Sequence, residues 1–160
     1  VVDRFRLVPA AYVVMRRDDG AGRVLLQLRK DTGFMDGYWA VAAAGHVEDG
    51  ESVFDAACRE VAEEVGVTVE VHELTSLCVM HRTRTGGAPI DQRVDFFFEC
   101  RRWRGEPYLV EPDKAADLQW FALDALPHPV VPHELLVLEH VRAGHVPPVL
   151  AYGFDTSDPG

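Results

Sequence analysis

The chain has 160 residues, of which 48% are hydrophobic and 26% charged, a length and balance suited to one folded domain with a real core. No apolar run nears the roughly 20 residues of a membrane span, and the net charge of −10 disfavours a polyanionic partner, nucleic acid or anionic membrane alike. Cys58, Cys78 and Cys100 are odd in number and irregularly spaced, which argues against a disulfide frame or a zinc site and for a reducing, cytoplasmic setting.

Asp3, Arg4 and Arg6 interrupt the apolar start, so Val1 to Val8 is not read as a secretory leader. Phe5 to Met15 and Val24 to Leu28 read as two strands joined by the turn residues Arg16 to Gly22, a hairpin. Lys30 to Gly37 is a loop, and Trp39 to Ala44 is too rich in small residues to assign as a strand. Ser52 to Val65 is the clearest helix, with Ser52 as its cap (Glu51 or Gly50 would shift the boundary) and Gly66 as its stop. Val67 to Arg82 alternates imperfectly, as one long or broken strand. Gly86 to Pro89 is a turn, Arg93 to Cys100 a strong strand, Trp103 to Pro112 a loop and Leu118 to Phe121 a short strand. After the proline-rich Pro127 to Pro132, His133 to Arg142 is a second helix ended by Gly144. A single domain is expected over 1–155, with a frayed tail over 156–160.

With Glu60 at zero and about 100° per residue, Glu64 falls near +40° and Glu63 near −60°, so three carboxylates share one face of the long helix. Phe54, Ala57, Cys58, Val61 and Val65 form an apolar stripe set apart from it. Like charges at these spacings repel by a few tenths of a kcal/mol per pair, and Arg59 offsets only part of that. Taken alone, the patch fits a solvated face. Its other reading is a hard-cation site, because oxygen-only donors suit Mg2+ or Mn2+.

The helix sits in a longer pattern. Gly45, five residues, Glu51, seven residues, Arg59-Glu60, an aliphatic, one residue, Glu63-Glu64, one residue, Gly66 and an aliphatic fill nine defined positions over 23 residues. This resembles the signature of the Nudix hydrolases, and the chain is identified as a member of that superfamily. TGFMDG before the signature, MHR at Met80 to Arg82, DFFFEC at Asp95 to Cys100 and WFALDALP from Trp120 are similar to a largely uncharacterised bacterial subgroup of MutT-like proteins. Together these segments span most of residues 5–145.

The resemblance implies an α/β fold of the α+β type, a mixed, curved β-sheet sandwiched between helices. It implies Glu60, Glu63 and Glu64 as Mg2+ ligands, the carbonyl of Gly45 as a further ligand, and a Glu51–Arg59 pair tying loop to helix, with Glu51 also able to hold a metal through water. Glu60 is the first choice for the catalytic base. Glu111, in GEPYLVEPDK, matches a loop that supplies an extra carboxylate ligand in MutT-type members, or is an exposed loop residue. Ala42 to Ala44 precede Gly45 where many members carry a proline or second glycine, so a different local turn is expected.

For the substrate, Arg29, Trp39, His81 and Arg82 are candidates, each with an alternative: core packing for Trp39, surface for His81 and Arg82. Signals of ADP-ribose, coenzyme A and dinucleoside polyphosphate hydrolases are missing. What survives is a nucleoside triphosphate pyrophosphohydrolase releasing a monophosphate and pyrophosphate. A nucleotide-sensing domain without catalysis and an isomerase on the same fold are the alternatives. A nucleotide-like small molecule is the expected partner, with a homodimer open.

Overall fold

In the computed structural model, which describes residues 2–19 and 22–154, β1 (Val8–Arg17) is the central strand. It pairs in parallel with β6 (Arg93–Cys100) and antiparallel with β4 (Ala43–His46). Beyond β6 lie β5 (Leu74–Arg82) and β8 (Val149–Tyr152). At its far end β1 pairs with β2 (Arg23–Arg29), which in turn carries β3 (Trp39–Val41) and β7 (Ala115–Ala122). The sheet is mixed, as the resemblance implies, although the hairpin pairing is only two residues deep, Arg16 to Val24 and Arg17 to Arg23. The turn residues Gly20 and Ala21, like Val1 and 155–160 with the expected tail, lie outside the described residues.

Helix α1 (Val53–Val65) covers one face of the sheet and α2 (Pro132–Ala143) is packed against the other. Ala11, Val13 and Met15 of β1 join the core under α1, while Ala10, Tyr12 and Val14 join the core under α2. This two-sided burial explains why β1 reads as a continuous apolar run and not as an alternation. Phe97 and Phe98 likewise enter opposite cores.

Ser52 caps α1, its side chain accepting from Asp55 N at 3.1 Å, and Gly66 ends it at φ 70°. A Cβ at Gly66 would lie 2.1 Å from the Tyr108 ring, so both backbone conformation and contact require glycine. Two expectations for this helix need correction. Phe54 is 43% exposed, because at the first turn its ring only leans on Phe98, at 5.3 Å between centroids. The acidic face is not set apart from the interior: Ala56, about 40° from Glu60 around the helix, is fully buried, and Glu60 and Glu64 face β4.

Elsewhere, Val67 to Arg82 is broken by a 3-10 turn at Val71–Glu73, and Trp39 to Ala44 falls into β3 and β4, whose small residues let α1 approach. β8 was not foreseen, since four residues after a double proline give too short a pattern.

Candidate active site

The glutamates of α1 meet β4 through a close backbone approach. Gly45, paired with Ala11 of β1, leaves room for the Glu60 carboxylate: a Cβ there would stand 2.0 Å from Glu60 Oε1. Ala44 N donates to Glu64 Oε2 at 2.7 Å, and Gln27 Nε2 donates to Glu64 Oε1 at 3.3 Å. Ala42 is a bend between β3 and β4, and Ala43 to His46 pair regularly with β1.

Arg59 organises the loop before the helix. Its Nη2 and Nε donate to the two oxygens of Glu51 at 2.7 and 3.1 Å, and Nη2 reaches the His46 carbonyl at 3.1 Å. Through Nη1 it also donates to Glu60 at 2.8 Å and Glu63 at 3.2 Å. One guanidinium thus serves three carboxylates. The Arg59 hydrogen bonds hold the Glu51 carboxyl below the usual carboxylate range.

Glu60 and Glu64 behave in the opposite way. Burial pushes Glu60 up against the pull of Arg59, with Glu63 and Glu111 adding repulsion. Burial also raises Glu64, from 4.5 to about 8, and Glu60 and Glu111 raise it further. Glu111 comes from the loop before β7 and lines the same cleft, about 560 Å³, as Glu48, Glu60, Glu63 and Glu64. Lys114 stands 3.7 Å from it.

Crowded, partly desolvated carboxylates with oxygen donors only are the chemistry a hard dication relieves, so the residues present fit one. Among the described residues no three Asp, Glu, His or Cys side chains already enclose such a point. Arg59 holds Glu60 and Glu63 instead, and Glu63 is 54% exposed.

A second cavity of about 450 Å³ adjoins the cleft, sharing Gln27, Arg29, Ala44 and Glu64 with it. Arg82 and Arg29 line it. Arg29 also folds the loop after β2, donating to the Phe34 carbonyl at 2.7 Å and Thr32 Oγ1 at 2.9 Å, and so brings the Phe34 ring to the cavity mouth. Trp39 and His81 are not brought to either cavity. Trp39 stacks edge-on against Phe121 at 4.8 Å in the core under α2. His81 points to the opposite face of β5 from Arg82, as strand alternation requires, and lies against Phe154.

The cavity also contains groups that the sequence reading missed: Tyr12, His46, Arg93, His133 and Glu134, with buried Asp95 beneath. Glu134 is 4% exposed and accepts from Val41 N at 2.9 Å. Burial raises its carboxyl from 4.5 to about 7. The His133 ring lies 3.2 Å from the Tyr12 hydroxyl, and burial, then Arg82 and Arg93, hold it well below the usual imidazole value. A titratable pair, His133-Glu134, opening a proline-led helix and an aspartate inside an aromatic strand were the available signals.

The family model for the NUDIX domain matches residues 6–141. The chain belongs to the Nudix family of pyrophosphohydrolases. It is 33% identical over 152 residues to the NAD-capped RNA hydrolase NudC of Pseudomonas aeruginosa, covering 91% of this chain and 49% of that protein. It is 27% identical to the uncharacterized Nudix hydrolase YfcD of Escherichia coli, covering 69% of this chain and 57% of that protein. The chain thus spans about half the length of these curated relatives. A solved MutT Nudix hydrolase from Burkholderia pseudomallei is 34% identical, with a TM-score of 0.74 over 85% of this chain and 98% of that one. No helix among the described residues is long and apolar enough to cross a membrane.

Proposed function

We propose that this Nudix domain is a Mg2+-dependent hydrolase (Mn2+ serving in its place) of a nucleoside diphosphate-linked substrate, and specifically a nucleoside triphosphate pyrophosphohydrolase. The observation that carries the reading is the convergence of Glu60 on Gly45 and of Glu64 on Ala44 N beside a cleft that Glu63 and Glu111 also line. Glu60, Glu63, Glu64, Glu111 and the Gly45 carbonyl are the groups that would hold the metal. When bound, such ions stabilise charge on the entering and leaving oxygens.

The chain supplies the rest. Glu60, held out of water and raised above an ordinary glutamate, takes the proton from the attacking water. The water oxygen bonds to phosphorus as the bridging P–O bond breaks, leaving a nucleoside monophosphate and pyrophosphate. Arg59 and Glu51 position the loop and hold the glutamates in register. Arg29 and Arg82 face the part of the substrate lying in the adjoining cavity.

A screen of canonical and 8-oxo nucleoside triphosphates, ADP-ribose, nucleotide sugars and diadenosine polyphosphates, read as phosphate and pyrophosphate release with Mg2+, tests this. Mg2+-dependent pyrophosphate release from a triphosphate is the expected result. Nucleotide binding without release from any member of the set would overturn it in favour of a sensing domain.

A further inference from the structure

On the floor of the cavity beside the glutamate cleft two arginines share one carboxylate as their only ion-pair partner among the described residues. Arg82 at the end of β5 and Arg93 at the start of β6 stand directly opposite each other in the antiparallel ladder. Like charges in that relation destabilise a sheet. Both side chains are largely enclosed, at 14% and 13% exposed. One carboxylate lies between them: Asp95 accepts from Arg82 Nε at 2.6 Å through Oδ2, while its Oδ1 is 3.7 Å from Arg93 Nε. That second contact is too long for a hydrogen bond. Arg93 Nε and Asp95 Oδ1 are buried without hydrogen-bond partners.

The other acids lining the cavity are engaged elsewhere. Asp91 accepts from Arg84 at 2.9 Å, Glu134 from Val41 N, and Glu64 from Ala44 N and Gln27. None of them forms an ion pair with Arg82 or Arg93 among the described residues. Arg29 adds a third cation at the mouth. His46 and His133 bring no compensating negative charge, and both are held toward the neutral form. Two enclosed guanidinium groups sharing one carboxylate cost stability unless an anion completes them.

We infer that Arg82 and Arg93, aligned by Asp95, bind a phosphate group of the substrate other than the one attacked at the glutamates. This rests on the hydrolase reading only in assigning the phosphate to the substrate. The phosphate is either the terminal one of a polyphosphate chain or a monoester on the nucleoside. Arginine forks suit its tetrahedral oxygens, and the cavity's continuity with the cleft through Glu64 and Ala44 lets one molecule reach both. Asp95 touches no ligand and is a positioning residue.

The test is calorimetric titration of the intact protein in EDTA, where hydrolysis does not enter, with inorganic phosphate as the probe. The wild type is expected to bind it saturably, and Arg93→Gln to weaken binding roughly tenfold or more, the value of a charge-assisted hydrogen bond. Arg82→Lys, which keeps the charge and loses the fork, is expected to weaken it less. Matched pairs then identify the source: a preference for ATP over ADP that Arg93→Gln abolishes marks a terminal phosphate, and the same for NADP+ over NAD+ marks a monoester. Absence of saturable phosphate binding, or equal binding by Arg93→Gln, overturns the inference. Failure of the hydrolysis screen with phosphate binding intact would overturn the proposed reaction and leave the anion site standing.

Discussion

Replacing Glu134 by glutamine alters charge with little change of shape, and the burial of that side chain fixes the sign of the effect. The carboxyl rises from 4.5 to about 7, chiefly through burial, against the opposing pull of the Val41 N–H. A carboxyl raised on folding favours the fold while protonated. The advantage is complete below about pH 4.5 and is lost as pH rises through about 7. At about 1.4 kcal/mol per pH unit, that interval sets a ceiling of about 3 kcal/mol on the loss. Glutamine keeps an oxygen to accept from Val41 N and has no charge to desolvate. Glu134→Gln should therefore gain on the wild type between pH 5 and pH 8, by up to about 3 kcal/mol. His133 works in the other direction: its folded value lies well below 6.5, so its contribution falls away as pH drops below 6.5. His133 is present in both proteins, but its Nε2 stands 4.0 Å from Glu134 Oε2, so the difference between them reports the Glu134 charge together with its coupling to His133. The measurement is the urea midpoint of each protein in EDTA at pH 5, 6, 7 and 8. A difference that stays constant across the series, or a variant less stable than wild type at pH 8, would refute the reasoning.

Other outcomes follow from the same geometry. Glu60→Gln and Glu64→Gln should each lower kcat by roughly 100-fold or more with far-UV circular dichroism unchanged; a variant of either kind with full activity removes that residue from the site. Gly45→Ala puts a methyl where the Glu60 carboxylate lies, so it should lower activity on the scale of Glu60→Gln with only a modest fall in Tm. Gly66→Ala meets both a positive φ and the Tyr108 ring and should cost about 1–3 kcal/mol of stability by urea denaturation. Arg59→Lys loses the paired contact with Glu51 and should lower kcat by about tenfold or more, measured against retained helix content.

The legible part of this molecule was the part in which chemistry lies along one element. On α1 the cap, the stop and the carboxylate spacing are all local, so Ser52 and Gly66 stand where the sequence places them, and the Glu51–Arg59 pair forms as the resemblance implies. Reading that helix as acid outside and apolar inside failed at Glu64 for a physical reason. The wheel assigns faces but not what covers them, and here β4 covers the acid face, with small residues and a free N–H to receive it. The adjoining cavity was harder still, because its groups come from β1, β5, β6 and α2 and meet only through strand register. Arg82 drew notice as part of MHR, but what gives it meaning is Arg93 across the ladder, 11 positions on with an intervening turn. Strand period does place Arg93, Asp95 and Phe97 on one face, and that face is buried. A charged pair at i and i+2 on the same face as a core aromatic is thus a sequence signal for a buried polar site, provided both faces of the strand are known to be covered. That proviso is supplied by the parallel pairing of β6 with β1, which no single segment discloses.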